Sequence, residues 1–288
     1  MELDAALSAA LDELRALCEE HLGEHVGAQL AALSRPAVGL VPAASGARRA
    51  GRSRVGGPAL LDPGTAWPEC EGHPLSLLAV IDTAQLGRWA GAQLPVRPGL
   101  LNFFFLEVAD PDAPGMERYR KVLPGLMNPL ACRVVPADPA HAGEVRAPAL
   151  ATTFSTVPLD TAPGLTLPDF TDDPALDRLL GARAEAGAYG AMPSLFIEER
   201  FGAAWADHSA RYPLSADHAH QALGWPELGG GSCLQTSIRP KEEVTHLLQL
   251  GSTAEFQWGD GGSLHFVSPS RALHEGDFSQ VVADSSSW

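Results

Sequence analysis

Two stretches decide the fold: residues 73–82, His-Pro-Leu-Ser-Leu-Leu-Ala-Val-Ile-Asp, and residues 99–104, Gly-Leu-Leu-Asn-Phe-Phe. The continuous apolar run Leu75–Ile81 is typical of a strand that is buried on both faces. The aromatic run Gly99–Val108 predicts a second strand, and Asp82 is a candidate N-cap for a helix between the two. We therefore expect the core of a sheet in this part of the chain.

The later sequence contains a similar pair of stretches. His246-Leu-Leu-Gln-Leu250 is followed by Gly262-Ser-Leu-His-Phe266, so each pair joins an apolar strand, an excursion, a glycine turn and an aromatic strand. An internal duplication around a pseudo-two-fold axis explains this likeness, and so does the chance similarity of any two hairpins. If residues 244–250 form a regular half-buried strand, alternation places His246 and Gln249 on opposite faces.

The N-terminal region has the period of a helix. Apolar residues recur at three- and four-residue steps from Leu3 to Leu22, and Gly23 weakens the middle enough for two helices. With the strand signals, this pattern predicts an α+β protein of largely antiparallel sheets, in two sheet regions. We expect a helical segment at residues 1–35 and one domain at residues 36–288, ending in a frayed tail.

Composition and charge limit the function classes. The 288 residues carry a formal net charge of −15, so nucleic-acid and anionic-membrane partners are not expected, whereas a basic protein partner is permitted. No apolar run approaches the roughly 18 residues that span a bilayer, and the N-terminus has no secretory pattern. Four scattered cysteines indicate reduced thiols and a cytoplasmic location: Cys18, Cys70, Cys132 and Cys233.

Several short motifs carry a resemblance to a known family. In chain order they are Gly56-Gly57-Pro58, Trp67-Pro68, Gly72-His-Pro-Leu75, His220-Gln-Ala-Leu-Gly-Trp-Pro226, Leu247-Leu-Gln-Leu250 and Trp258-Gly-Asp-Gly-Gly262. Their order and spacing resemble the YwqG-like bacterial family, which is defined by a domain of unknown function, over residues 36–280. The resemblance implies an α+β, largely antiparallel cytoplasmic protein with no established reaction. That family usually carries Gln where this chain has Val80, whereas the second copy keeps Gln249.

The glycine-rich turn after Trp258 is the sharpest local signal for a ligand. Glycines let the backbone approach a ligand, Asp260 offers a hydrogen-bond acceptor or a base, and Trp258 offers a flat apolar wall. A hairpin with Asp-Gly turn chemistry and a packed indole explains the same residues.

An arginine cluster precedes the first glycine pair. Arg48, Arg49, Arg52 and Arg54 could bind a phosphate or a carboxylate through guanidinium forks, or they could lie in a solvated loop. The resemblance favours Arg54, because it implies a basic residue just before Gly56-Gly57.

Histidines supply the remaining candidates. His220 could act as a base or a ligand, or as a structural hydrogen-bonding group. His265 on the aromatic strand could pair with His246 or Gln249, since buried polar groups need partners. The pairs His218/His220 and His21/His25 lack further ligands, so we expect no metal, and no nucleotide, dinucleotide or serine-hydrolase motif calls for a cofactor.

The sequence therefore predicts a cytoplasmic module that binds a small molecule or a protein. Its candidate cleft residues are Arg54, Trp67, His220, Gln249, Trp258 and Asp260. One alternative is a hydrolytic or acid–base enzyme that uses His220 and Asp260 within hydrogen-bond reach. Another is an acidic, immunity-type partner of a basic protein, steered by the net charge of −15.

Overall fold

The computed structural model describes residues 2–44, 51–87, 93–94, 99–107, 130–168, 170, 193–211, 220–227 and 243–286. Four α-helices lie in these ranges: α1 Glu2–Leu22, α2 Glu24–Ala31, α3 Pro193–Ser209 and α4 Ser270–His274. The strands of the first part are β1 Arg35–Pro42, β2 Arg54–Val55, β3 Ala59–Leu61, β4 Glu69–Cys70, β5 His73–Pro74, β6 Ser76–Asp82, β7 Leu100–Phe105, β8 Cys132–Ala137 and β9 Gly143–Val145. The later strands are β10 Val157–Thr166, β11 His220–Ala222, β12 Val244–Gly251, β13 Ser263–Pro269 and β14 Val282–Ser286.

Ten strands form one antiparallel sheet, in the order β14-β13-β12-β11-β1-β10-β2-β6-β7-β8. The predicted α+β class with antiparallel strands is therefore confirmed. The two predicted sheet regions are joined in one sheet, because β1 and β10 pair with each other. The sheet curls until its edges meet, and the Cys132 thiol donates a hydrogen bond of 3.4 Å to the Val281 carbonyl before β14.

The strand order reads the same from both ends of the sheet. Strands β1, β2, β6, β7 and β8 form one half, and β10, β11, β12, β13 and β14 occupy the matching positions in the other half. The central β1–β10 pair relates the halves by a pseudo-two-fold axis, since Leu40 pairs with Thr161 and Pro42 with Leu159. The two halves thus repeat one five-strand unit, as an internal duplication predicts.

A β-bulge at the same position in each half fixes the correspondence. The register shifts between Leu77 and Ala79 where β6 meets β7, and between His246 and Leu248 where β12 meets β13. His246 therefore corresponds to Leu77, four residues beyond the His73 that sequence similarity suggested. The same bulge corrects the expected alternation, because the extra residue brings His246 and Gln249 to one face of β12.

Two hydrophobic cores pack on the opposite faces of the first half. The larger core fills the concave side and includes Leu14, Cys18 and Leu30 of α1 and α2. The smaller core lies on the outer face of the first half, where β3, β4, β5 and β9 cover the sheet. The outer face of the second half carries mainly polar residues instead.

Several local expectations change in the structure. Asp82 begins a turn rather than a helix, because its Oδ1 accepts a hydrogen bond of 3.1 Å from the Ala84 N–H. Strand β12 is buried along nearly its whole length instead of half buried. The frayed tail expected at Ala283–Trp288 is wrong for residues 283–286, which belong to β14 and pair with β13. The helix divides at Gly23, whose φ is 79°.

The expectations for Arg48, Arg49 and His218 lie outside the described residues.

Candidate functional site

Arg54 holds a turn that both halves share. Arg54 pairs with Val80, and Gln221 pairs with Gln249, so Arg54 and Gln221 occupy matching positions. The Arg54 guanidinium donates to the Pro58 carbonyl at 2.6 Å, and the Gln221 amide donates to the carbonyl four residues on at 2.9 Å. Both side chains therefore brace a turn, and the guanidinium of Arg54 is engaged by the backbone.

That turn has the same backbone conformation in each half. Gly56 and Gly57 have φ values of 63° and 77°, and Leu223 and Gly224 have values of 63° and 76°. The left-handed region favours glycine, so the glycine pair in the first motif is explained by the turn itself.

His220 has a structural counterpart in the first half. Its Nδ1 accepts a hydrogen bond of 3.1 Å from the Gly251 N–H. At the matching position, the Ser53 hydroxyl accepts a bond of 2.9 Å from the Asp82 N–H. Burial lowers the pKa of His220 to about 4, so the ring stays neutral and suits the role of acceptor.

Trp258 and His220 meet the same aromatic ring. Phe256 lies 5.5 Å from Trp258 and 6.3 Å from His220, measured between ring centroids. Asp260 stands at the exposed tip of the turn that follows, which the Gly262 N–H closes on the Trp258 carbonyl at 2.7 Å. Within the described chain, no hydrogen bond or ion pair joins His220 to Asp260.

Trp67 lies in the smaller core on the outer face of the first half. Its indole N–H donates to the Leu75 carbonyl at 2.8 Å, and its ring meets the edge of Phe104 at 5.1 Å. The structure therefore brings together two of the six predicted residues, His220 and Trp258. Arg54, Trp67 and Asp260 lie elsewhere, and Gln249 lies on the outer face of the second half.

Gln249 belongs to a group of polar side chains on that outer face, which we call the polar layer. Its members are all at least nine-tenths buried: Gln221, His246, Gln249, Ser263, His265, Asp284 and Ser286. Most of the matching positions in the first half are apolar: Leu77, Val80, Leu100, Val135 and Ala137. These matching positions of the sheet are thus apolar in the first half and polar in the second.

Part of the polar layer is satisfied by hydrogen bonds. Gln249 Oε1 accepts a bond of 2.9 Å from the Glu227 N–H, and His265 Nε2 lies 2.9 Å from the Ser286 hydroxyl oxygen. The rings of His246 and His265 lie 5.6 Å apart. These contacts fix the side chains on one surface.

Three ring nitrogens in the polar layer make no well-formed hydrogen bond with a described residue: Nδ1 and Nε2 of His246 and Nδ1 of His265. Backbone groups of Leu223 and Leu248 nevertheless lie close enough to the His246 ring to affect its pKa. A buried polar group without a partner costs about 1–3 kcal/mol. Groups of this kind in a folded protein call for a specific explanation, and a ligand or an ordered water is one.

Both histidines of the polar layer are uncharged at neutral pH. Burial lowers the pKa of His246 to about 4. Hydrogen bonding to the backbone of Leu223 and Leu248 opposes this shift in pKa, and the Arg35 guanidinium adds to it. Burial also places the pKa of His265 well below its usual value, and neighbouring His246 adds to this shift. Each ring therefore offers one N–H donor and one nitrogen acceptor.

A groove of about 350 Å³ lies beside the polar layer. Its walls include Phe170, Trp205 and Trp225, and Gln221 and Glu227 reach it from the polar side. Gln221 pairs with Gln249 across the sheet, and the Glu227 backbone bonds to the Gln249 side chain. The groove therefore reaches the polar layer at Gln221, whereas His246, Gln249 and His265 do not line it. An apolar cleft with a few fixed polar groups is typical of a ligand site.

Sequence reasoning missed most members of the polar layer. It selected Gln249, considered His246 and His265 as a pair, and assigned Asp284 and Ser286 to a frayed tail. Alternate polar residues in Ser263–Val267 and Val282–Ser286 were an available signal, because period-two polarity marks one face of a strand.

Metal and membrane criteria give no further site in the described chain. No three His, Cys, Asp or Glu side chains among these residues lie close enough to hold a metal ion. None of the described helices combines the length and apolar character needed to cross a bilayer.

Comparison with known families identifies the domain. The family model described as a domain of unknown function, DUF1963, matches residues 53–285. The chain belongs to the DUF1963 family. No curated protein matches it. The DUF1963 match begins at β2 and ends inside β14, so it includes every member of the polar layer except Ser286 and excludes α1, α2 and β1.

Proposed function

We propose that this DUF1963 chain is a YwqG-like cytoplasmic module that binds a small polar molecule in the polar layer. The observation that carries the proposal is the set of three buried ring nitrogens of His246 and His265 that make no well-formed hydrogen bond with a described residue. Gln249 is the sequence-predicted ligand residue that the proposal retains, since its side chain lies beside them.

The contrast between the two halves supports this assignment. In the first half, the outer face packs Leu77 and Val80 against Leu60 and Leu61 in an apolar core. A packed core needs no imidazoles or carboxamides, and burying them lowers stability unless they are bonded. Retention of polar groups on only one of two repeated faces is typical of a binding site laid on a common scaffold.

The groove beside the polar layer supports a small molecule over a protein partner. Its volume of about 350 Å³ falls within the range of ligand pockets. The indole rings of Trp205 and Trp225 provide flat walls, while Gln221 and Glu227 mark the passage to Gln249.

The cellular setting rests on the chemistry of the cysteines and on the charge. The thiols of Cys18, Cys70 and Cys132 are buried and form no disulfide among the described residues, in keeping with a reducing compartment. The net charge of −15 disfavours nucleic acids and anionic lipids as partners. The bacterial source and the division into residues 1–35 and 36–288 stay predictions.

The two alternatives from the sequence have less support. A hydrolytic role for His220 and Asp260 requires His220 to exchange a proton, yet its Nδ1 already accepts a backbone hydrogen bond and its ring is buried. The immunity-type alternative rests on net charge alone and stays a prediction.

A ligand screen with matched variants tests the proposal. Thermal unfolding and tryptophan fluorescence of the full chain are measured against a panel of charged and uncharged polar metabolites. At least one compound is expected to raise the melting temperature in the native chain and not in the double variant His246→Leu, Gln249→Val, which copies Leu77 and Val80 of the first half.

The variant His274→Gln in α4 is the control, since His274 is exposed and lies outside the polar layer. It should respond to the compound as the native chain does. A panel without any response, or a response that the double variant retains, would contradict the proposal.

A further inference from the structure

The first half shows what a polar side chain on the outer face does in this fold. Asn102 Oδ1 accepts a hydrogen bond of 2.8 Å from the Leu60 N–H, and Asn102 Nδ2 donates to the Leu60 carbonyl at 2.7 Å. One side chain thus binds both polar atoms of Leu60, in β3. This is the pattern by which a carboxamide recognises the backbone N–H and C=O of one residue.

The second half preserves the position and changes the side chain. Asn102 pairs with Val80, and His265 pairs with Gln249, so His265 stands where Asn102 stands. Gln249 accepts a hydrogen bond from the N–H of Glu227, which lies six residues after Gln221, as Leu60 lies six residues after Arg54. The outer face of the second half therefore also contacts a backbone N–H, but through Gln249 instead of the residue that replaces Asn102.

The unsatisfied nitrogens set the chemistry that a ligand must offer. Neutral His246 has one N–H donor and one acceptor, and neither makes a well-formed hydrogen bond with a described residue. His265 uses Nε2 with Ser286 and leaves Nδ1. A complementary ligand must both accept and donate hydrogen bonds within a short distance.

Simple ions meet only half of this requirement. A carboxylate or a phosphate accepts without donating, and an ammonium group donates without accepting. An anion would also lose its hydration beside the buried Asp284 side chain, which pairs with His265 across the sheet, and this is costly. A carboxamide or peptide group is uncharged and presents a donor and an acceptor on adjacent atoms.

We propose that the polar layer binds a carboxamide or peptide group of its ligand through His246, Gln249 and His265, in place of the apolar packing of the first half. This inference rests on the proposed function and specifies its ligand. The ligand's remaining part would lie in the groove lined by Trp205 and Trp225.

A titration with a minimal peptide-group compound tests the inference. The full chain, labelled with ¹⁵N, is titrated with N-acetylglycine N-methylamide, and the imidazole nitrogens are followed by long-range ¹H–¹⁵N spectra. Saturable shifts of the His246 and His265 resonances are expected, with at least tenfold weaker effects from acetate and from methylammonium at equal concentrations.

Two substitutions at one position separate recognition from packing. His265→Asn copies Asn102 of the first half and should keep the affinity for the amide within about threefold. His265→Leu has similar bulk without polar atoms and should lower that affinity at least tenfold. The control His274→Gln should bind as the native chain does.

Three results would overturn the inference: equal shifts with acetate, full binding by His265→Leu, or no shift up to the solubility limit of the amide, which would mean that water alone fills the layer. A screen compound without an amide that binds the native chain and not the His246→Leu, Gln249→Val variant would also overturn it. That last outcome would leave the proposed function standing.

Discussion

At the scale of single residues, matching positions reveal the roles of side chains that the motifs only highlighted. His220 and Ser53 each accept a hydrogen bond from the backbone of the next strand, and Arg54 and Gln221 each brace a turn. These four residues differ in chemistry and share a structural purpose. The motif residues Arg54 and His220 therefore have mainly structural roles in this fold.

Replacing His220 by alanine should destabilise the fold. His220→Ala leaves the buried Gly251 N–H without its acceptor and removes the ring that stacks on Phe256, so we expect a loss of about 2 kcal/mol in the free energy of unfolding. Urea denaturation at pH 7.5 measures this. The exposed control His25→Ala should change stability by less than about 0.5 kcal/mol. Equal stability of His220→Ala and the native chain would contradict the structural role.

Acidification should also lower stability through the buried histidines. The folded pKa values of His220 and His246 are about 4, below the usual 6.5, so the unfolded chain binds more protons between these values. The stabilisation is complete above about pH 6.5 and is lost as the pH falls toward 4, by about 1 kcal/mol for each histidine between pH 7.5 and 5.5.

Urea denaturation at several pH values measures this dependence. The variant His246→Gln should show a smaller loss between pH 7.5 and 5.5 than the native chain, by about 1 kcal/mol. An identical pH dependence in the two proteins would show that His246 titrates normally in the folded state.

At the scale of elements, a bulge and a turn decide which residues share a surface. The bulge after His246 brings that side chain to the face of Gln249, and the turn at Gly56-Gly57 recurs at Leu223-Gly224. The first turn lies closer to neighbouring backbone than the second. A Cβ on Gly56 would overlap the Ser155 carbonyl oxygen, whereas the second half accommodates Leu223 with the same φ.

The substitution Gly56→Ala should therefore lower the free energy of unfolding by more than the positive φ of Gly56 alone predicts. Gly64 also has a positive φ, and a Cβ there would meet nothing within 4 Å. We expect Gly64→Ala to lower the free energy of unfolding by about 1 kcal/mol and Gly56→Ala by at least about 2 kcal/mol more. Thermal and urea denaturation compare the two variants. Similar losses would mean that the contact with Ser155 is unimportant.

Strand type was predictable at this scale, and exact alignment was not. The apolar run Leu75–Ile81 and the aromatic run after Gly99 both form strands, because continuous hydrophobicity suits a sheet covered on both faces. The sequence could not show that Leu247 is an extra residue in its pair. A bulge depends on cross-strand hydrogen bonds, and one residue of shift reverses which face a side chain occupies.

At the scale of the whole molecule, the strand outside the family match holds the two halves together. Strand β1 lies between β10 and β11 in the middle of the sheet, and the DUF1963 match starts after it. Helices α1 and α2 add Leu14, Cys18 and Leu30 to the larger core. The segment before residue 53 is thus part of the fold.

A fragment limited to the matched region should consequently fail to fold. Residues 53–285 lack the central strand and expose the apolar surface that α1 and α2 cover, so we expect no cooperative thermal transition by circular dichroism. The full chain under the same conditions is the reference. A cooperative transition near the melting temperature of the full chain would contradict this account of β1.

The general architecture could be inferred from sequence, whereas the arrangement of the site could not. The similarity of two segment pairs anticipated the repeated halves, and Gln249, a predicted ligand residue, lies in the polar layer. The expected convergence of Trp67, Trp258 and Asp260 depended on which side of a curled sheet each residue occupies. That property follows from long-range pairing, which local motifs do not contain.

The central claim is that the polar layer, with neutral imidazoles at His246 and His265, is a buried binding surface that replaces the apolar packing of the first half. A pH titration of the His246 imidazole in the intact chain, followed by NMR from pH 8 to pH 4, tests it most directly. We predict a ring that remains neutral until the pH is below 5. A ring that is charged at pH 7, or that titrates near 6.5 as an exposed histidine does, would contradict the account.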